Sequence, residues 1–123
     1  MNCVDPSRAA ELGSLAASRR AALVIMHSRG SMTAMPGFSV APITSYEDVV
    51  ADVARELAEA ARRAMGAGLA REEIVLDPGL GFFKSARHSL DLVANLQAIR
   101  AVGFPVLVGP SRKSFLASAA AEQ

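Results

Sequence analysis

Three short segments of the chain gather side chains able to do chemistry. They are Met26-His27-Ser28-Arg29-Gly30, Asp77-Pro78-Gly79-Leu80-Gly81-Phe82-Phe83-Lys84 and Gly109-Pro110-Ser111-Arg112-Lys113-Ser114. Each begins where an apolar run stops. In the third, hydroxyls and two cations follow Gly-Pro at once, before a helical pattern begins. A strand-to-helix junction leaves backbone N–H groups unpaired at the positive end of the helix dipole, so it suits an anion, and Arg112 and Lys113 strengthen that preference. The plainer reading is a helix start with a serine cap and two solvated cations.

Asp77 is the only carboxylate in these segments. It can cap the loop that follows, or it can accept two parallel N–H bonds from the amidine-like edge of a heterocycle such as a pterin or guanine. Gly79 and Gly81 would let backbone approach such a ligand closely. Phe82 and Phe83 are adjacent, so one can face the core and the other a flat ligand. The chain has eleven arginines but only two lysines, Lys84 and Lys113, and both lysines fall in these segments. Lys84 reads as a solvated loop cation or a site residue. Lys113, at a helix start, opposes the dipole unless an anion or carboxylate answers it. His27 has no second histidine near it in sequence, so it reads as a hydrogen-bonded structural residue, not a metal ligand. Met26 suits either a pocket lining or the core. The Gly-Pro-Ser-Arg-Lys-Ser run lacks P-loop spacing.

The elements that must position these segments follow from the pattern. Asp5-Pro6 predicts a helix to about Ser18, by cap residue and proline at the first helical position. Ala21 to His27 predicts a strand buried on both faces. Residues 28–44 predict a long loop. Ser45 with Asp48 reads as a capping-box variant, and Val49, Val53, Leu57 and Ala61 at every fourth position predict a helix ending near Gly66 or Gly68. Ile74 to Leu76 is the expected second strand. Leu92, Leu96 and Ile99 mark a third helix closed by Gly103, Pro105 to Val108 a third strand, and Ser111 onward a fourth helix. Helices alternating with strands imply a parallel α/β unit with right-handed crossovers, whose strand exits all lie at one end.

The totals limit what else the chain can be. Its 123 residues make at most one ordinary domain, and 51% hydrophobic with 20% charged residues is a globular composition. A net charge of +1 gives no general pull toward nucleic acid or membrane. No run approaches the roughly 20 apolar residues of a membrane helix. Asp5, Pro6, Arg8 and Glu11 interrupt any signal-peptide core. The single cysteine, Cys3, fits a reducing compartment, and the expected location is the cytoplasm.

Taken together, "VIMHSRG", "VLDPGLGFFK" and "PVLVGPSRKSFL" resemble the fifth, sixth and seventh strand motifs of dihydropteroate synthase, in order and at the usual spacing. The resemblance implies a partial TIM (β/α)₈ barrel of the pterin-binding type, about three parallel strands with four helices, so that residues 1–123 are a fragment of one such domain. It implies condensation of 6-hydroxymethyl-7,8-dihydropterin diphosphate with 4-aminobenzoate, releasing pyrophosphate. Carried over, Asp77 would bind the pyrimidine edge of the pterin and Lys113 the same ring system, with Met26 and Gly109 lining the slot. Phe82 and Arg112 would wall the aminobenzoate site, and Ser114 would bind its carboxylate. The family expects magnesium, but its ligand strand is absent here, as are the Asp-Gly-Gly-Glu-Ser-Thr loop, the third-strand Asp, the Asn-Asp-Val strand and the Arg-x-His end. "MNCVDPS" begins where the Asn-Asp-Val strand should just have ended. Phe83 stands where the family has a small residue. The expectation is therefore a truncated chain, inactive alone and prone to self-association, with small-molecule substrates and no nucleic-acid or membrane partner. A non-catalytic pterin-binding or assembly module and a pterin-dependent methyltransferase domain are the alternatives, the Ser-Arg-Lys-Ser run arguing against the latter.

Overall fold

The computed structural model describes residues 1–29, 46–82 and 84–109. Its sheet has three parallel strands in the order β1 (Asn2–Cys3), β2 (Leu23–Met26) and β3 (Ile74–Asp77). The Leu-Val-Ile-Met run of β2 is apolar at consecutive positions, as a strand covered on both faces requires, and Leu23, Ile25, Ile74 and Leu76 are fully buried. Leu23 lies opposite Ile74, Val24 opposite Val75, Ile25 opposite Leu76 and Met26 opposite Asp77.

Two of these strands were legible in the sequence, and the third was not where it was expected. Asn2–Cys3 is a strand, pairing with Val24 and Ile25, although the chain was read as starting just beyond it. Two residues are too few to show a period, so only the partner strand reveals them. Pro105 to Val108, conversely, makes a single parallel bridge, Leu76 to Val106, with Leu76 N–H donating to Pro105 O (2.9 Å) and Leu107 N–H to Leu76 O (2.8 Å). Pro105 has no N–H to extend the ladder, and Leu107 is half exposed.

A 3₁₀ turn, Pro6–Arg8, capped by the Asp5 carboxylate, leads into α1 (Ala9–Ser18). The next helix, α2 (Val49–Gly66), buries Val49, Val53, Leu57, Ala60, Ala61 and Ala64 along one stripe. Its cap is Asp48, whose side chain accepts from Ala51 N–H, so Asp48 serves as N-cap and not as the third helical residue of a box begun at Ser45. Ser45 itself lies outside the described residues. The two helices pack closely because α1 presents Gly13 to Ala64.

The single helix expected up to Gly103 is two, α3 (Ala86–Ala94) and α4 (Leu96–Arg100). Asn95 breaks it: its amide donates to Asp91 O at 2.8 Å while its own backbone leaves the helical region (φ −127°, ψ 36°). Gly103, at φ 110°, then turns the chain, with Arg71 donating to Gly103 O and lying 4.4 Å over the Phe104 ring. The fourth helix of the sequence reading, from Ser111, lies outside the described residues.

The α1–α2 contact yields a paired prediction. A Cβ on Gly13 would stand 2.8 Å from Ala64 Cα and 2.9 Å from its Cβ, whereas a Cβ on Gly66 would meet nothing within 4 Å. Gly13→Ala should therefore destabilise the chain by about 1–3 kcal/mol through overpacking. Gly66→Ala, at an unstrained helical position, should stabilise it by roughly 0.4–1 kcal/mol. Urea denaturation of both variants checks this, and equal midpoints would contradict the packing described.

Candidate functional site

The β2 and β3 exits lie side by side. Met26, mostly buried, is the register partner of Asp77, and His27 N–H donates to Asp77 O at 2.8 Å. One oxygen of Asp77, Oδ1, accepts from Gly79 N–H at 2.9 Å, which is the loop-capping geometry foreseen for it. The turn that follows is tight. Phe82 N–H closes onto Gly79 O (3.0 Å), Gly81 N–H donates to the buried Ser89 hydroxyl (2.9 Å), and Leu80 fills the core. Gly79 has φ 71°, and a Cβ there would be driven into the His27 carbonyl, so this position requires glycine twice over.

Lys84 is where the structure departs furthest from the solvated-cation reading. It is fully buried, and its ammonium donates to His27 Nδ1 (3.0 Å), His27 O (3.3 Å) and Phe82 O (3.0 Å). Three N–H bonds converge from one atom on three acceptors, which is what makes a buried ammonium tolerable. The His27 ring is equally buried, and its Nε2 lies 3.1 Å from Glu56 Oε1. Burial drives the His27 imidazole down to about 4 against the opposing pull of Glu56, with the Lys84 charge adding to the fall. Burial pushes the Glu56 carboxyl up, but hydrogen bonds from His27 and Arg29 outweigh it and hold it at about 2. At neutral pH a carboxylate can only accept, so the neutral His27 donates from Nε2 and leaves Nδ1 as the acceptor for Lys84.

Arg29 completes the chain of bonds, gripping Glu56 with Nε (3.2 Å) and Nη2 (2.7 Å), and its guanidinium lies 3.9 Å over the Tyr46 ring. Tyr46 meets His88 edge-on at 4.8 Å, and burial pushes its phenol up. His88 in turn closes a capping box with Ser85 at the start of α3. Glu56, Arg29, Tyr46 and His88 were missed as partners. Glu56 sits on α2 beside the apolar stripe and reads in sequence as part of a solvated face. The available signal was a histidine at the exit of a buried strand, which needs a partner for each nitrogen.

Of the residues singled out, Met26 and Asp77 stand together. Phe82 closes the Gly79 turn, and Gly109 is exposed three residues beyond the bridge at Val106. Phe83, Arg112, Lys113 and Ser114 lie outside the described residues. A cleft of about 580 Å³ opens between the β1 and β2 exits and α2, bordered by Asp5, Ser28, Arg29, Glu56 and Arg63. It does not include Met26, Asp77, Phe82 or Gly109, so this cleft is not where the pterin chemistry was expected. Among the described residues no three of His, Cys, Asp and Glu stand close enough to hold a metal ion. No helix among the described residues is long and apolar enough to cross a membrane.

Parallel strands, helical crossovers and polar groups collected at the strand exits define a segment of a ligand-binding α/β barrel. The chain belongs to the pterin binding enzyme family, whose model matches residues 2–123. It is 36% identical over 106 residues to the dihydropteroate synthase of Synechocystis, covering 86% of this chain and 35% of that protein. It superposes on the dihydropteroate synthase of Xanthomonas albilineans with 4-aminobenzoic acid at a TM-score of 0.82 and 34% identity, over 99% of this chain and 41% of that one. Against the Thermus thermophilus dihydropteroate synthase in complex with 6HMPPP the TM-score is 0.77 at 40% identity, over 98% and 43%. The chain thus spans about a third of the length of the curated relatives it matches. The resemblance to dihydropteroate synthase, a transferase, is borne out, and so is the partial TIM barrel with three parallel strands and four helices.

The shifted His27 and Glu56 groups set a pH dependence. In the folded chain His27 titrates near 4 rather than 6.5. Its contribution is complete above the unfolded value and is lost as pH falls from there through the folded one, amounting to on the order of 3 kcal/mol. Glu56, depressed from 4.5 to about 2, adds a further loss at lower pH. Urea midpoints should fall steeply between about pH 6.5 and 4. Histidine NMR should keep His27 neutral at pH 5.5, and an imidazolium signal for it there would contradict the arrangement.

Proposed function

We propose that this chain supplies the pterin- and aminobenzoate-facing strand exits of a dihydropteroate synthase active site. The observation that carries the reading is Asp77 beside Met26 at adjacent exits, its carboxylate held by the Gly79 N–H. A carboxylate fixed in this way can receive the paired N–H groups of a pterin pyrimidine edge, with Met26 and Gly109 lining the slot and Lys113 reaching the same ring system. Phe82 and Arg112 would flank 4-aminobenzoate, and Ser114 would bind its carboxylate. The X. albilineans and T. thermophilus enzymes carry 4-aminobenzoic acid and 6HMPPP respectively, which supports both halves of this assignment.

In the reaction proposed, the C–O bond between the pterin methylene and the diphosphate breaks and pyrophosphate leaves with the electron pair. The arylamine nitrogen attacks the resulting methylene cation, and its surplus proton passes to solvent. No protein nucleophile is required, and the residues named orient the two rings and stabilise charge. The relatives reported are all synthases, which favours condensation over methyl transfer. The lone reduced cysteine, Cys3, is in keeping with a cytoplasmic setting.

Asp77→Asn should weaken pterin binding by about 1–3 kcal/mol, because one acceptor becomes a donor facing a donor. Arg87→Ala removes only an exposed pair with Asp91 and should leave it unchanged. Calorimetry with both variants in a full-length context checks the contrast, and equal affinities would remove Asp77 from the site.

The 123-residue chain, taken alone, is proposed to be a truncated domain without synthase turnover. A complete barrel has eight strands in about 250 residues, and leaving apolar side chains open forfeits roughly 1.5–3 kcal/mol each against a total stability of about 5–15 kcal/mol. Self-association through open edges is the expected escape. Sedimentation beside a pyrophosphate-release assay tests this, and a compact monomer that turns over substrate would contradict it.

A further inference from the structure

We propose that Lys84 and His27 form a positioning pair for the pterin side of the site, seating the Gly79 turn on the β2 exit and thereby fixing the direction of the Asp77 carboxylate. The inference rests on reading Asp77 as the pterin's partner. Lys84 is fully buried and so does not touch substrate. Its ammonium bridges the β2 exit, at His27 O, and the far end of the turn, at Phe82 O, whose own N–H returns to Gly79 O. Between these two anchors lies Gly79, packed so close to the His27 carbonyl that no Cβ fits; the position such a Cβ would take is 3.3 Å from Lys84 Nζ. The Gly79 N–H donates to Asp77 Oδ1 at 2.9 Å.

The path from the buried cation to the carboxylate is therefore short: Nζ to the two ends of the turn, the turn to Gly79, and Gly79 N–H to Oδ1. His27 contributes twice, with its carbonyl under the turn and its Nδ1 as the third acceptor. Lysine suits the task because its three N–H groups leave one atom and converge within a small space, whereas the planar fork of arginine spreads its donors. Removing the ammonium leaves Phe82 O, His27 O and His27 Nδ1 without its hydrogen bonds and frees the turn to shift, which redirects the carboxylate without altering its charge. Small misplacements of a binding group cost substantial affinity.

The test compares Lys84→Met with Arg87→Ala in the same full-length context by two readouts. The first is the Gly79 amide proton shift, which reports the bond to Asp77. The second is calorimetric affinity for 6-hydroxymethyl-7,8-dihydropterin diphosphate and, separately, for 4-aminobenzoate. In Lys84→Met the Gly79 amide should move upfield and pterin affinity fall about tenfold or more, with aminobenzoate affinity unchanged. An unmoved Gly79 amide, or equal losses for both ligands, overturns the proposal. If the unsubstituted full-length protein binds no pterin, that counts against the proposed function, and the amide shift alone decides the positioning role. Should Lys84→Met fail to fold, Lys84→Gln, which keeps a donor for the two carbonyls, reads the same shift.

Discussion

A primary ammonium placed where no water reaches it must find three acceptors, and the strand exits of this chain are arranged around that requirement. Lys84 finds them in His27 Nδ1, His27 O and Phe82 O. The cost of removing such a charge from water is several kcal/mol, so the acceptors must be held firmly in place. His27 can accept only if its other nitrogen donates, which calls for an anion at Glu56. Glu56 stays ionised because Arg29 grips both its oxygens. Cation, neutral ring, anion and cation thus follow one another, and each fixes the protonation of the next.

The run of bonds also joins elements far apart in sequence. Lys84 follows β3, His27 and Arg29 follow β2, and Glu56 lies on α2. Tyr46, between Arg29 and His88, extends the tie to the start of α3 through aromatic contacts. Backbone pairing sets the strands in register up to Met26 and Asp77. Among the described residues the pairing ends with the His27 N–H bond to Asp77 O, and beyond it the side-chain network takes over the alignment of the exits. The Gly79 turn, pressed onto the His27 carbonyl, passes the alignment to Asp77.

Much of the fold was legible because long periodic elements carry their own signal. The four-residue stripe of α2 and the apolar run of β2 are examples, with boundaries shifted by only a residue or two. Short elements were not legible: Asn2–Cys3 exists as a strand only through β2, and Asn95 splits a helix by a side-chain bond that no period records. At the site, the exit segments and Asp77 stood out from residue type and position, and His27 was recognised as a hydrogen-bonded residue. The burial of Lys84 was not recognised, because a lysine in a glycine-rich loop has the same local sequence whether it points to water or to a histidine 57 positions earlier. Glu56 was hidden for the related reason that helical spacing reveals a face but not what waits opposite its edge.

The claim that the Lys84–His27 pair organises the exits is tested most directly by a double-mutant cycle on the stability of the folded chain, using Lys84→Met, His27→Phe and the two together. Each single change leaves a buried polar group facing an apolar one and should cost about 3–5 kcal/mol. The double variant replaces the pair by two apolar side chains, so its cost should fall short of the sum of the singles by about 1–3 kcal/mol. Costs that add to within about 0.5 kcal/mol would show that the two residues act independently, and the account of the site built on them would fail.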